Sequence, residues 1–267
     1  MNTLAALLLG VVQGLSEFLP VSSSAHLILA RAYFGWDGEA FGLAFDVACH
    51  VGTLLAVIVF FRRELVAMAT AVPRIAGPSP PARQARLIAI GTIPVIVVGA
   101  LFAEAIESRV RTPAIAAVAL AIGGIGLLVA ERLGTRRREE PSLGGWEALA
   151  LGAAQATALV PGVSRSGATM TVGMLLGLRR EAAARFSFLL GVPAIAAAGA
   201  KAGLELAQSG VSAETLGLFA AGLVSSAVVG YVTIKYFLRF LVTHRLDVFA
   251  YYRLALAGTT VIWWMGR

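Results

Sequence analysis

The sequence predicts an all-α integral membrane protein. Six transmembrane helices and two re-entrant helix–loop–helix segments are expected, arranged as an inverted-topology repeat. Three observations carry this. The 267-residue chain is 58% hydrophobic and 14% charged, with a mean hydropathy of +0.81, where a soluble domain carries about 25% charged residues. Its basic residues gather in short stretches between apolar runs. Two of the apolar regions are broken in the middle by polar residues, and the breaks resemble one another.

The N-terminal run MNTLAALLLGVVQGLSEF lacks a basic leader and a small-residue cleavage site, so it reads as retained structure rather than a signal peptide. It opens the first broken region, 3–34, interrupted at EFLPVSSSAH. Each half of that region is too short for the roughly 20 residues of a spanning helix, so the pair is expected to enter the membrane and return to the same face. Full spans follow at 43–61, 87–105 and 113–130. The second broken region, 146–178, is interrupted at LVPGVSRSGAT and leads into spans at 184–205, 215–238 and 248–266. This makes residues 1–267 one polytopic domain, with halves at 1–130 and 146–267 and a cytoplasmic linker at 131–145.

Charge supports the parity of these crossings. Arg62, Arg63, Arg74, Arg83 and Arg86 fall in one loop, and Arg132 with Arg136, Arg137 and Arg138 in another. Arg179, Arg180, Arg239 and Arg245 complete the set, and the topology puts all of them on one face, the cytoplasmic one, with both termini outside. The loop around Glu104, Glu107, Arg109 and Arg111 is balanced and reads as a solvated outer loop. The net charge of +7 therefore reports topology, and no nucleic-acid partner is expected. A single cysteine, Cys49, excludes an intrachain disulfide. The Trp263–Trp264 pair reads as an interface anchor.

The repeat is visible in residues. Leu9, Gly10, Gln13, Val21, Ser22 and Ser24 recur 142 positions later as Leu151, Gly152, Gln155, Val163, Ser164 and Ser166. Three spans per half is an odd number, so the second copy is inverted and the broken helices meet at the midplane.

Non-helical backbone at membrane depth is tolerated only when buried in protein or lining a wet cavity. Ionisable groups there cost about 3 kcal/mol each on insertion scales. The two breaks nonetheless hold Glu17, His26 and Arg165 with Ser22, Ser23, Ser24, Ser164, Ser166 and Thr169. In PGVSRSGAT, Gly162 and Gly167 free the backbone, a helix restarts near Ser166, and Arg165 supplies a phosphate-matching fork; this is an anion cradle. Gln13 and Glu17, four apart on one helical face, point at the other break, and Glu17 is placed to hold a divalent cation beside a diphosphate. His26 can act as acid, base or nucleophile, and Ser22 or Ser23 can attack phosphorus instead. For Ser24 a helix cap is the expected role. Asp46 and His50, also four apart, are either a second layer around the site or an ordinary buried pair.

GVVQGLSEFLPVSSSAH and VPGVSRSGAT resemble the two signature regions of the bacterial undecaprenyl-diphosphate phosphatase family, associated with bacitracin resistance. The runs FSFLLGVP and IKYFLRF extend the resemblance over nearly the whole chain. It implies an inner-membrane enzyme that releases phosphate from undecaprenyl diphosphate to recycle the cell-wall lipid carrier. Dependence on Mg²⁺ or Ca²⁺ and a site open to the periplasm are implied with it. The family's paired-acid motif falls on Gln13 and Glu17, so only one carboxylate is present. Its serine and histidine fall on Ser22, Ser23 and His26, its arginine motif on Ser164, Arg165, Ser166 and Thr169, and its next acidic residue on Asp46. The expected partners are a polyprenyl diphosphate, the bilayer and a second copy of the chain. The rival expectations are a lipid-carrier flippase and a non-catalytic lipid-phosphate binder.

Overall fold

A computed structural model describes residues 3–36, 42–209 and 212–266; the side chains of Glu104 and Glu107 lie outside the described part. Eleven α-helices occur among the described residues, and no strand. In order they are α1 (Thr3–Ser16), α2 (Ser23–Phe34), α3 (Leu43–Phe60), α4 (Arg62–Ala71), α5 (Pro80–Arg109), α6 (Pro113–Leu133), α7 (Gly145–Thr157), α8 (Arg165–Leu175), α9 (Arg180–Ser209), α10 (Ala213–Thr243) and α11 (Asp247–Met265).

Five of them, α3, α5, α6, α9 and α10, are long and apolar enough to cross a bilayer. Large apolar side chains such as Leu101, Ile122, Val228 and Ile262 point outward, which suits a lipid surround. The sixth expected span forms helix α11, which falls outside that apolar set; Asp247, Arg253 and two tyrosines dilute its composition. Helix α4 was not expected, because its Arg-rich sequence reads as loop; its Glu64 pairs with Arg185 of α9 at 2.8 Å.

Both broken regions fold as helix, break, helix. Ser22 and Ser164 cap α2 and α8 with their hydroxyls and share a left-handed backbone, at φ 73° and 70°. Positive φ is uncommon outside glycine, so its occurrence at two positions 142 residues apart marks equivalent breaks. The preceding helices also dock alike. A Cβ at Gly10 of α1 would meet a carbonyl of α10, and one at Gly152 of α7 a carbonyl of α5. Small residues allow this close approach between helices in a membrane.

The basic loops meet at one end of the bundle. Glu131, at the end of α6, accepts from Arg180 at 2.5 and 2.6 Å and from Arg136, with Arg245 alongside. Arg83 reaches the carbonyls of Pro141 and Leu143 from the start of α5. The opposite end carries the start of α3, the α5–α6 connection and the C-terminus of α2, where Tyr33 packs edge-on to Trp263 at 4.6 Å. An aromatic core of Phe18, Phe61, Phe186, Phe188 and Phe237 lies between, with Phe18 edge-on to Phe188 at 5.1 Å. It fixes the first break, because Phe18 follows Glu17 directly.

Candidate active site

The two breaks touch. Glu17, buried at the end of α1, holds the centre. Its Oε1 accepts from Arg165 Nη2 at 3.0 Å, and its Oε2 accepts from Ser23 Oγ at 2.6 Å and Gln13 Nε2 at 2.9 Å. His50 Nε2 approaches the same Oε2 at 3.4 Å from α3. Arg165 also donates to the Ser187 carbonyl at 3.0 Å, which spreads its fork between α9 and the first break. A cavity of about 300 Å³ opens over this cluster, lined by Glu17, Ser22, Ser23, Asp46, His50, Ser164 and Arg165 among others.

Other expected ligands lie beneath the cavity wall. Gly167, expected to free the backbone of the anion cradle, donates its N–H to Ser164 Oγ at 3.0 Å. Ser166 Oγ donates to the Leu19 carbonyl at 2.9 Å, tying one break to the other. Thr169 Oγ bonds the Arg165 carbonyl at 2.7 Å and Ser187 Oγ at 2.5 Å. These three brace the loop that carries Arg165.

His26 is held apart from Glu17. Its Nδ1 lies 2.7 Å from the Ser22 carbonyl and its Nε2 2.7 Å from the Tyr252 hydroxyl, with the two rings stacked. His50 takes the place beside Glu17, because α3 packs next to α1 while α2 turns His26 toward α11. Asp46 does not reach Glu17; it receives Arg31 at 2.5 and 3.0 Å and Arg111 at 2.7 Å.

Four further residues belong to the site's frame. Arg111 and Gln155 line the cavity. Ser187 supports Arg165 and Thr169. Arg253 of α11 is wholly buried and donates to Pro20, Gly162 and Val163 of the two breaks and to Ala119 and Leu120 of α6. The repeat pairs Gln13 with Gln155, a legible signal for the latter. Arg253 carried a signal missed at the level of sequence, an arginine inside the expected span 248–266; its partners, carbonyls from three distant segments, were not legible.

The donor set suits a hard cation in one respect. Gln13 Oε1 and both amide atoms of Gln155 are buried without a hydrogen-bond partner. Among the described residues no group of three or more His, Cys, Asp or Glu side chains forms a metal cage. One carboxylate with a free amide oxygen matches a cation that takes its remaining ligands from phosphate, as Mg²⁺ does.

The sequence model described as "Bacitracin resistance protein BacA" matches residues 6–259. The chain belongs to the BacA family. An undecaprenyl-diphosphatase of Rubrobacter xylanophilus is 50% identical over 97% of this chain and 97% of its own length. Undecaprenyl-diphosphatases of Pelobacter propionicus and Moorella thermoacetica are 43% and 42% identical over 98% and 100% of the chain, covering 97% and 100% of their own lengths. The residues matched in this BacA-family chain include both breaks, which meet at Glu17 and Arg165.

Proposed function

We propose that the protein hydrolyses undecaprenyl diphosphate to undecaprenyl phosphate and inorganic phosphate, recycling a cell-wall lipid carrier and so conferring bacitracin resistance. One observation carries the chemistry: a serine hydroxyl donates to a buried carboxylate at 2.6 Å, and that carboxylate also pairs with an arginine, all in one cavity. Glu17 takes the Ser23 proton and Ser23 Oγ attacks the terminal phosphorus; the bridging P–O bond breaks and undecaprenyl phosphate leaves, while Arg165 stabilises the charge gathering on the phosphoryl oxygens. Water, deprotonated by Glu17, then attacks the phosphoserine, releasing inorganic phosphate and returning the proton to Ser23 Oγ. Ser22 and Ser164 border the phosphate, and Ser166, Gly167 and Thr169 hold the loop in place. His26 positions the first break through Ser22. A flippase is not favoured, because transport requires no hydroxyl paired to a base.

Glu17 and Gln13 would hold a Mg²⁺ or Ca²⁺ ion, which would neutralise phosphate charge and polarise P–O bonds. The tail is given room by a second cavity of about 880 Å³, lined by Pro94, Val98, Ile115, Ile122 and Val160, which shares Leu159 with the first.

We further propose that the two broken regions are re-entrant, that α11 is the sixth span, and that the halves form an inverted repeat within one domain. The matched caps at Ser22 and Ser164 support this. So do the contacts that keep α2 at the end where α3 begins, and those that keep α8 at the end where α9 begins. The cavity opens opposite the basic loops, which supports a periplasmic mouth in an inner-membrane protein. A homodimer is part of the proposal and is read by light scattering in detergent.

Phosphate release from a polyprenyl diphosphate by detergent-purified protein, with and without EDTA, tests the whole. Turnover lost in EDTA and restored by Mg²⁺ or Ca²⁺ is expected, with Ser23→Ala inactive. No release by the wild type sinks the reading. A fully active Ser23→Ala removes the serine as nucleophile.

A further inference from the structure

We infer that Arg111 is a second guanidinium ligand of the diphosphate, stationed at the cavity mouth by Asp46. The inference rests on the diphosphatase reading and names the group that lets the site tell a diphosphate from a monophosphate. Arg111 sits between Val110 and Thr112, the residues that cap the end of α5 and the start of α6, and it lines the same cavity as Glu17, Ser23 and Arg165. Its Nη2 lies 2.7 Å from Asp46 Oδ2, and its side chain stays 26% exposed.

Asp46 already has a full partner. The buried Arg31 donates to both of its oxygens, at 2.5 and 3.0 Å. A carboxylate in a bidentate pair is neutralised, so a second arginine on it leaves one positive charge in excess. That excess faces a cavity where Glu17 and Arg165 cancel each other. A guanidinium carries five donors in a fixed fork, so the Nη2 contact to Asp46 leaves others for phosphate oxygens.

The geometry divides the ligand between two cations. Arg165 lies beside Ser23 and Glu17, where the transferred phosphoryl group belongs. Arg111, reached from the outer connection, meets the other phosphoryl group. A monophosphate lipid cannot satisfy both, so product binds less tightly than substrate.

The test compares wild type with Arg111→Gln, Arg111→Lys and Asp46→Asn, all as full-length protein in detergent. KM and kcat are measured on farnesyl diphosphate. Binding of farnesyl methylenediphosphonate and of farnesyl monophosphate is measured by equilibrium dialysis. Arg111→Gln is expected to weaken diphosphonate binding and raise KM by about tenfold or more, the loss of one charged hydrogen-bonding partner. Its kcat should stay within about threefold and its monophosphate affinity should hardly change, since the attacking groups are untouched. Arg111→Lys should recover part of the affinity, and Asp46→Asn should resemble Arg111→Gln. Unchanged KM and diphosphonate affinity in Arg111→Gln overturn the inference. So does an equal loss of affinity for both lipids, which marks a structural role. A wild type that binds the diphosphonate but releases no phosphate defeats the hydrolase reading alone, while the binding comparison still decides Arg111. A wild type that binds neither lipid defeats both.

Discussion

Glu17 and Arg165 lie 148 residues apart in the chain and 3.0 Å apart in the fold. Each alone would be an uncompensated charge in a low-dielectric interior; together they are tolerable, and they bring the two breaks into one site.

The roles of this pair separate by substitution. Glu17→Gln keeps a hydrogen-bonding shape and removes the base, so kcat is expected to fall by about 10²–10⁴-fold. Arg165→Gln removes charge stabilisation of the transferred group and is expected to cost about 10³-fold or more in kcat/KM. Phosphate release by variants that elute as the wild type does provides the check. Near-normal turnover in either variant ends the role given to that residue.

Gly191 tests Arg165 without replacing a polar side chain. It lies in the FSFLLGVP run of α9, and a Cβ there would fall on the Arg165 guanidinium. Gly191→Ala should therefore displace the arginine at a stability cost of about 1–3 kcal/mol, typical of overpacking. Activity should fall at least about tenfold, a misplacement effect. A variant with wild-type kcat/KM would show that Arg165 has room to move.

Arg253 is expected to matter for folding first. Five carbonyls, three of them in the two breaks, depend on its guanidinium. Arg253→Met leaves buried acceptors unpaired at about 1–3 kcal/mol each, so a marked fall in Tm and loss of activity are expected. Arg253→Lys should lose less. Thermal unfolding in detergent reads the order wild type, Lys, Met; a Met variant as stable as wild type contradicts it.

Glu140, in the linker, predicts a pH effect of definite sign. Burial pushes its carboxyl above the ordinary range, partly offset by the hydrogen bond from Gln84 at 2.6 Å. A raised carboxylate contributes stability while protonated and loses it as pH rises through the folded value. Glu140→Gln should therefore raise Tm at neutral pH, and the gain should vanish at acid pH. Equal Tm values at pH 7 would count against it.

Much of this was written locally. Apolar runs located the five helices that can cross a bilayer, since length and hydropathy are properties of a segment. PGVSRSGAT and QGLSEFLPVSSSAH marked both breaks, because each clusters a proline with several serines and glycines, whereas the single prolines Pro94 and Pro193 stay inside α5 and α9. Glu17, Ser23 and Arg165 stood out as ionisable or polar groups in oil, and they do share a cavity.

What stayed hidden depends on through-space partners. Whether His26 or His50 stands beside Glu17 follows from which helix packs against α1, and nothing in either local sequence encodes it. Gly167 and Thr169 belong to the cradle in the string, and only the fold shows that Ser164 and Ser187 are their hydrogen-bond partners. Arg111 reads as outer-loop charge until Asp46 draws it into the cavity. A helical membrane chain with two polar breaks is legible in the residues alone. Which polar atoms face the cavity is set by packing, because a hydrogen bond is satisfied by whatever partner the fold brings within about 3 Å.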